Sequence, residues 1–223
     1  MPLRFLVVLI VVALCVSAEA QQPAKAPRIG VPGLIPVTEF AKRHECQGFS
    51  VPLPKGENWF IGPFPTVAIP AELAPPLCEI LFVKILGRIT RPEEAHTILV
   101  LAGISQISVG FQTSEEFLRF VERLIKENSL PRYRLLESNA LLDNSLGSVC
   151  VRYERTVEDI GVPQFLSSVF IETDKGFFCT HPRASKFVVT VHYSQRFLKG
   201  QRPLSLEQEV EPVFKSLTFT SVE

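Results

Sequence analysis

Cys179, His181 and His192 are the residues whose types are best suited to chemistry. A cysteine and two imidazoles can bind zinc or copper, or pair as nucleophile and base. Cys179-Thr180-His181-Pro182 holds two of them in one short run, and His192 falls in a strand-like run nearby. Both roles need a thiolate, which an oxidising compartment removes. The identity of that compartment therefore decides what Cys179 can be.

The N-terminus speaks to it. Arg4, the apolar run Phe5 to Val16 and the small-x-small triplet Ala18-Glu19-Ala20 have the form of a secretory signal peptide over residues 1–20, cleaved before Gln21. The apolar run is short for a bilayer span. A lipoprotein would use Cys15, but Leu14 stands where a small residue is expected. The expectation is an exported protein, periplasmic or extracellular, with no transmembrane segment once the signal is removed.

Four cysteines then remain, Cys46, Cys78, Cys150 and Cys179, and an even number in an oxidising compartment predicts two disulfides. Sequence alone leaves three pairings open. Cys150 with Cys179 is favoured because both lie in neighbouring strand-like runs, and Cys46 with Cys78 follows by elimination. No CxxC or HxxxH spacing supports a metal, so neither metal nor cofactor is expected.

Other motifs fail or are generic. Gly103-Ile104-Ser105-Gln106-Ile107 begins like a nucleophile elbow, but Ile107 takes the place of the second glycine. HExxH, a phosphate-binding glycine loop and the dinucleotide fingerprint are absent, and no catalytic residue is assigned. Lys+Arg and Asp+Glu are equal at 23 each, which gives no basis for nucleic-acid binding. Arg152, Glu154, His181, His192 and Tyr193 lie on adjacent predicted strands and form a candidate binding face. A solvated sheet edge with cross-strand ion pairs explains the same residues.

The elements that must position them start from Thr113 to Asn128. Phe117, Phe120, Val121, Leu124 and Ile125 recur at three-and-four spacing, Thr113 with Glu116 fits a capping box, and Asn128 and Pro131 supply the stop. Most of the rest reads as strand and turn. Gln21 to Pro36 carries prolines at 23, 27, 32 and 36 and reads as a tether, with a short helical turn around Val37 to Arg43. Gly48 to Pro54 reads as an edge strand, Trp59 to Ile61 as an extended segment resumed after a turn, and Gly62 to Pro76 as a proline-rich loop able to cover a groove. Glu79 to Gly87, Thr97 to Ser105, Leu135 to Asp143, Ser148 to Glu158 and Phe187 to Ser194 read as strands. Leu166 to Thr173 and Phe177 to Thr180 flank Asp174-Lys175-Gly176, which suits a tight hairpin, or else one long strand with a glycine bulge. Ser205 and Gln208 open a closing helix that Pro212 would kink, and Leu217 to Phe219 end the chain as a strand.

Phe49-Ser50-Val51-Pro52-Leu53-Pro54-Lys55-Gly56 with Trp59, the Asp174-Lys175-Gly176 stretch and Phe214-Lys215-Ser216-Leu217-Thr218-Phe219 together resemble PsbP-like and Mog1-like domains. That resemblance implies an antiparallel sheet between helices, in a group of accessory, assembly and binding proteins; no functional residue carries over.

The sequence is thus read as α+β, a mainly antiparallel sheet packed by helices in an α/β/α sandwich. Its divisions are a signal peptide, a proline-rich lead-in over 21–45 and a single domain over 46–223. The expected function is non-enzymatic: binding a partner protein or assisting an assembly. The alternative is a small-ligand or metal carrier with its groove under the 62–76 loop.

Overall fold

Strands that alternate without interruption pair over most of their length, and three of them dominate this chain. The computed structural model describes residues 34–37, 43–62, 73–87, 89–108, 110–127 and 131–222. The signal peptide, Cys15, the tether before residue 34, residues 38–42 of the expected helical turn and residues 63–72 of the proline-rich loop lie outside the described residues. So does the groove expected beneath that loop.

The strands are β1 (Ile35–Pro36), β2 (Arg43–Cys46), β3 (Phe49–Pro52), β4 (Trp59–Gly62), β5 (Cys78–Lys84), β6 (Thr97–Gln106), β7 (Tyr133–Asp143), β8 (Cys150–Val162), β9 (Phe165–His181), β10 (Ala184–Leu198) and β11 (Thr218–Phe219). The helices are α1 (Ser114–Lys126) and α2 (Glu207–Lys215). Eight strands form one sheet in the order β1-β4-β5-β6-β10-β9-β8-β7, and three form a second in the order β11-β3-β2. Every pairing is antiparallel.

This corrects the α+β expectation. The described chain is mostly antiparallel strand, a β-rich sandwich, with two α-helices among the described residues. The physical reason lies in a stretch read as lead-in, residues 43–45, and in the pairing of two stretches read as separate strands, Gly48 to Pro54 and Leu217 to Phe219. Arg43–Cys46, Phe49–Pro52 and Thr218–Phe219 pair into a second sheet, and that sheet occupies much of the layer assigned to helices. Ile35–Pro36, read as tether, pairs with β4.

The hairpin at Asp174-Lys175-Gly176 is corrected too. β9 runs straight through those residues, with Gly176 opposite both Tyr153 and His192 and no register shift there. A Cβ at Gly176 would lie 2.1 Å from the Val191 carbonyl oxygen and 2.7 Å from the His192 Cα. The glycine serves a close approach of two strands rather than a turn.

Two clusters fill the faces of the large sheet. On one face Phe49 and Val51 of the small sheet and Val210 and Val213 of α2 pack on Phe82, Val100, Ile104, Val189 and Val191. On the other, Phe117, Phe120, Val121, Leu124 and Ile125 of α1 pack on Ala140, Val151, Tyr153 and Val188. The N-cap of α1 is formed as its sequence suggests: Thr113 Oγ1 accepts from Glu116 N at 3.1 Å. The Glu116 carboxylate reaches one residue further back than in a capping box and accepts from Gln112 N at 2.8 Å.

α2 departs from expectation at its start. Leu206 is its N-cap without a side-chain bond, and Ser205 Oγ donates to Glu207 Oε2 at 3.1 Å instead of capping. Pro212 sits within a helix that continues to Lys215. What holds α2 in place is Glu209, whose Oε2 accepts from Trp59 Nε1 at 2.7 Å and pairs with Lys84 Nζ at 2.6 Å.

Two disulfides close the structure. Cys46–Cys78 ties β2 of the small sheet to β5 of the large one. Cys150–Cys179 joins residues directly opposite each other on β8 and β9, both fully buried. Two disulfides in a chain of this size suggest an exported protein, since reducing compartments do not sustain them. No helix among the described residues is long and apolar enough to cross a membrane.

Candidate functional site

Directly opposed residues in an antiparallel ladder share a face, so register decides which side chains can cooperate. Glu154, Lys175 and Tyr193 are opposed in turn across β8, β9 and β10, and Arg152 lies two residues from Glu154 on their face. α2 packs over this face: the Phe177 and Phe214 rings lie 6.2 Å apart, and Lys175 Nζ pairs with Glu207 at 3.3 Å. Between α2, the sheet and the turn after β7 lies a groove of about 270 Å³. Phe177, Phe214 and Leu146 give it an apolar floor; Arg152, Lys175 and Glu154 stand on its sheet side.

Its charges are unevenly satisfied. Lys215 is held by Glu211 at 2.6 Å one helical turn away. Hydrogen bonds from Ser145, and to a lesser extent the charge of Arg152, hold the Asp143 carboxyl below its ordinary pKa. Arg152 and Glu154 make no hydrogen bond or ion pair with a described residue, and both are exposed. Among the described residues the groove therefore offers an apolar seat beside a cation and an anion that make no hydrogen bond or close ion pair, which suits a ligand with an apolar group between polar ones.

Of the five binding-face candidates, the structure brings Arg152, Glu154 and Tyr193 together and separates the two histidines. Tyr193 is buried, with Lys175 Nζ 5.5 Å from its ring centroid and Gln195 Nε2 donating to its hydroxyl. His181 is 2% exposed and closes the core: its Nε2 lies 3.1 Å from the Gly48 carbonyl and 2.9 Å from the Thr220 carbonyl, and its ring meets Phe219 edge-on at 5.6 Å. His192 faces the α1 side, where burial lowers its pKa against the raising influence of Asp174. Cys179, beside His181 in sequence, is spent in its disulfide. Among the described residues no group of three or more His, Cys, Asp or Glu side chains is placed to hold a metal ion.

The large sheet carries a second polar group on its α1 side, beyond the helix. Arg155 holds Asp174 at 2.5 Å, Arg132 and Arg196 hold the fully buried Asp159 at 2.8 and 3.0 Å, and Tyr133 donates to Glu172 at 3.3 Å. Burial, then the charge of Asp174, pushes the Glu172 pKa up to about 7, although Arg196 and Arg155 oppose the shift. A carboxyl whose folded pKa exceeds its unfolded one binds its proton more tightly when folded. Its contribution to stability is present below the unfolded value near 4.5 and is lost as pH rises through about 7. Glu172→Gln is expected to leave the thermal midpoint little changed at acidic pH and to raise it relative to the parent on the alkaline side of neutrality. His192 adds an opposite slope, which the difference between parent and variant cancels; calorimetry across that range checks it.

No family model matches the chain. No curated protein matches it either. Among solved structures, that of LpqN, involved in cell envelope biogenesis of Mycobacterium tuberculosis, aligns with a TM-score of 0.45 at 14% identity, over 79% of this chain and 87% of that one. A likeness at that distance assigns neither a fold family nor a role, and the resemblance to PsbP-like and Mog1-like domains gains no support from these comparisons.

Sequence reasoning missed Lys175, Phe177, Phe214 and Glu172. The first two were hidden by the turn reading of Asp174-Lys175-Gly176. Phe214 shares the helical spacing of Val210, Val213 and Leu217 and so reads as core, yet it is half-buried where Val213 is fully buried.

Proposed function

We propose that this chain is an exported, non-enzymatic binding domain of the cell envelope or extracellular space. It receives an extended peptide segment of a partner protein in the groove between α2 and the β8–β9 face. The observation that supports this reading is the apolar floor of Phe177 and Phe214 beside the unpaired Arg152 and Glu154. An apolar anchor buried in such a seat supplies affinity, while the flanking charges set orientation and register. Arg152 and Glu154 are separated by two residues of strand, about 7 Å, which matches the spacing of alternate side chains in an extended ligand.

Selection from a displayed random-peptide library tests it. The expected consensus is an apolar residue flanked by an acidic and a basic one, bound at least about tenfold more weakly by Phe214→Ala and by Arg152→Glu. Failure to select any peptide, or selected peptides that bind both variants like the parent, would overturn the proposal.

A further inference from the structure

The two outer strands of the large sheet are treated very differently. β1 is two residues long and contains Pro36, the usual way of blunting a sheet edge. β7 is eleven residues long, has neither lysine nor proline, and exposes Leu136, Leu141 and Leu142 at 49, 49 and 39%. No described strand pairs with its outer side. A long apolar edge of this kind is a template for another strand.

The register of β7 says which strand. Its pairing with β8 shifts between Leu135 and Glu137, so Leu136 is an extra, bulged residue. Arg134, Glu137, Asn139, Leu141 and Asp143 lie on the groove face, and Leu135, Ser138, Ala140 and Leu142 on the α1 face. A two-fold axis perpendicular to the sheet keeps every residue on its own face. With that axis at Asn139, Asn139 meets its own copy, Ser138 meets Ala140 and Glu137 meets Leu141. The bulge then absorbs Leu136, so that Leu135 falls opposite Leu142 and Arg134 opposite Asp143.

The fit is specific to that register. Moving the axis to Ser138 sets Arg134 against Leu141, and moving it to Ala140 sets Glu137 against Asp143, two like charges. Arg134 already reaches the buried Glu158 in its own chain, yet its side chain is 65% exposed and open to a second carboxylate. The edge is thus complementary to itself in charge and in apolar contact. We propose that β7 pairs antiparallel with β7 of a second copy about a two-fold at Asn139, making one continuous sheet with both α1 helices on the same side. Asp143 also rims the peptide groove, so the two sites are neighbours; self-association reads the strand edge, and peptide affinity reads the groove.

The test uses the mature protein and two variants. Asn139→Cys places two thiols directly opposite each other at a separation a disulfide can span. Under mild oxidation it is expected to form a covalent dimer at least about tenfold faster than Arg91→Cys, a thiol on an exposed segment away from the edge. Peptide mapping identifies the 139–139 bridge. In sedimentation equilibrium the parent is expected to be a dimer, and Leu142→Lys to raise its dissociation constant about tenfold or more. A parent that stays monomeric, equal rates for the two cysteine variants, or a dimer indifferent to Leu142→Lys would each overturn the proposal. Thermal midpoints near that of the parent establish that the variants are folded.

Discussion

Replacing Cys150 and Cys179 together by alanine is expected to lower the thermal midpoint by about 10 °C. The disulfide closes a loop with a sequence separation of 29. Its removal returns loop entropy to the unfolded chain worth about 3 to 4 kcal/mol, and in a domain of this size each kcal/mol moves the midpoint by about 2 to 4 °C. Both cysteines are fully buried between β8 and the middle of the large sheet, so the lost sulfur contacts add to the entropic cost. Scanning calorimetry of the oxidised parent and the double variant measures it. A shift under about 2 °C would mean that the β8–β9 ladder, opposed over most of both strands, does not need its crosslink.

Glu209→Ala is expected to cost about 3 kcal/mol, a large effect for one side chain on a short helix. The substitution leaves the Lys84 ammonium, 8% exposed, with the Glu57 carbonyl as its hydrogen-bond partner, and takes the acceptor from Trp59 Nε1. An uncompensated buried cation is costly because neither water nor a counter-charge replaces what was lost. Glu211→Ala on the same helix removes an ion pair whose side chains are 72 and 51% exposed, and should change stability by less than about 0.5 kcal/mol. Urea titration of both variants separates a buried charge from generic loss of helix. Lys84→Met combined with Glu209→Leu should recover most of the loss, since well-packed apolar groups can replace a buried ion pair.

The legible parts of the fold were local. α1 announced itself through five apolar residues at helical spacing and a threonine cap, and all five are buried against the sheet. The strand at Ser148 to Glu158 was visible from alternation, and from it came Arg152 and Glu154. What stayed hidden was non-local. β2 is four residues long, too short for periodicity to register, and although the stretches of β3 and β11 read as strands, nothing local shows that they pair with each other across most of the chain. Asp174-Lys175-Gly176 carries a strong turn signal that ladder pairing on both sides overrides, and the glycine's true reason is a neighbouring backbone invisible in one dimension. Glu172 reads as an ordinary strand carboxylate until the structure surrounds it with Asp174, Arg155, Arg196 and Tyr133.

His181 and His192 show the same limit from the other side. Their types suggested chemistry, yet one ties two backbone carbonyls across the core and the other faces away from the groove. Ladder register, which the sequence does not display, decides that Tyr193 joins Arg152 and Glu154 while its neighbour His192 does not.

The groove beneath α2 is the proposed seat of a partner segment. Chemical-shift mapping by NMR of a selected peptide titrated into the labelled protein tests it most directly. The largest perturbations are expected on residues 143–146, 152–154, 175–177 and 211–215. Perturbations confined to the outer edge of β7 or to the surroundings of Glu172, or spread evenly over the surface, would contradict it.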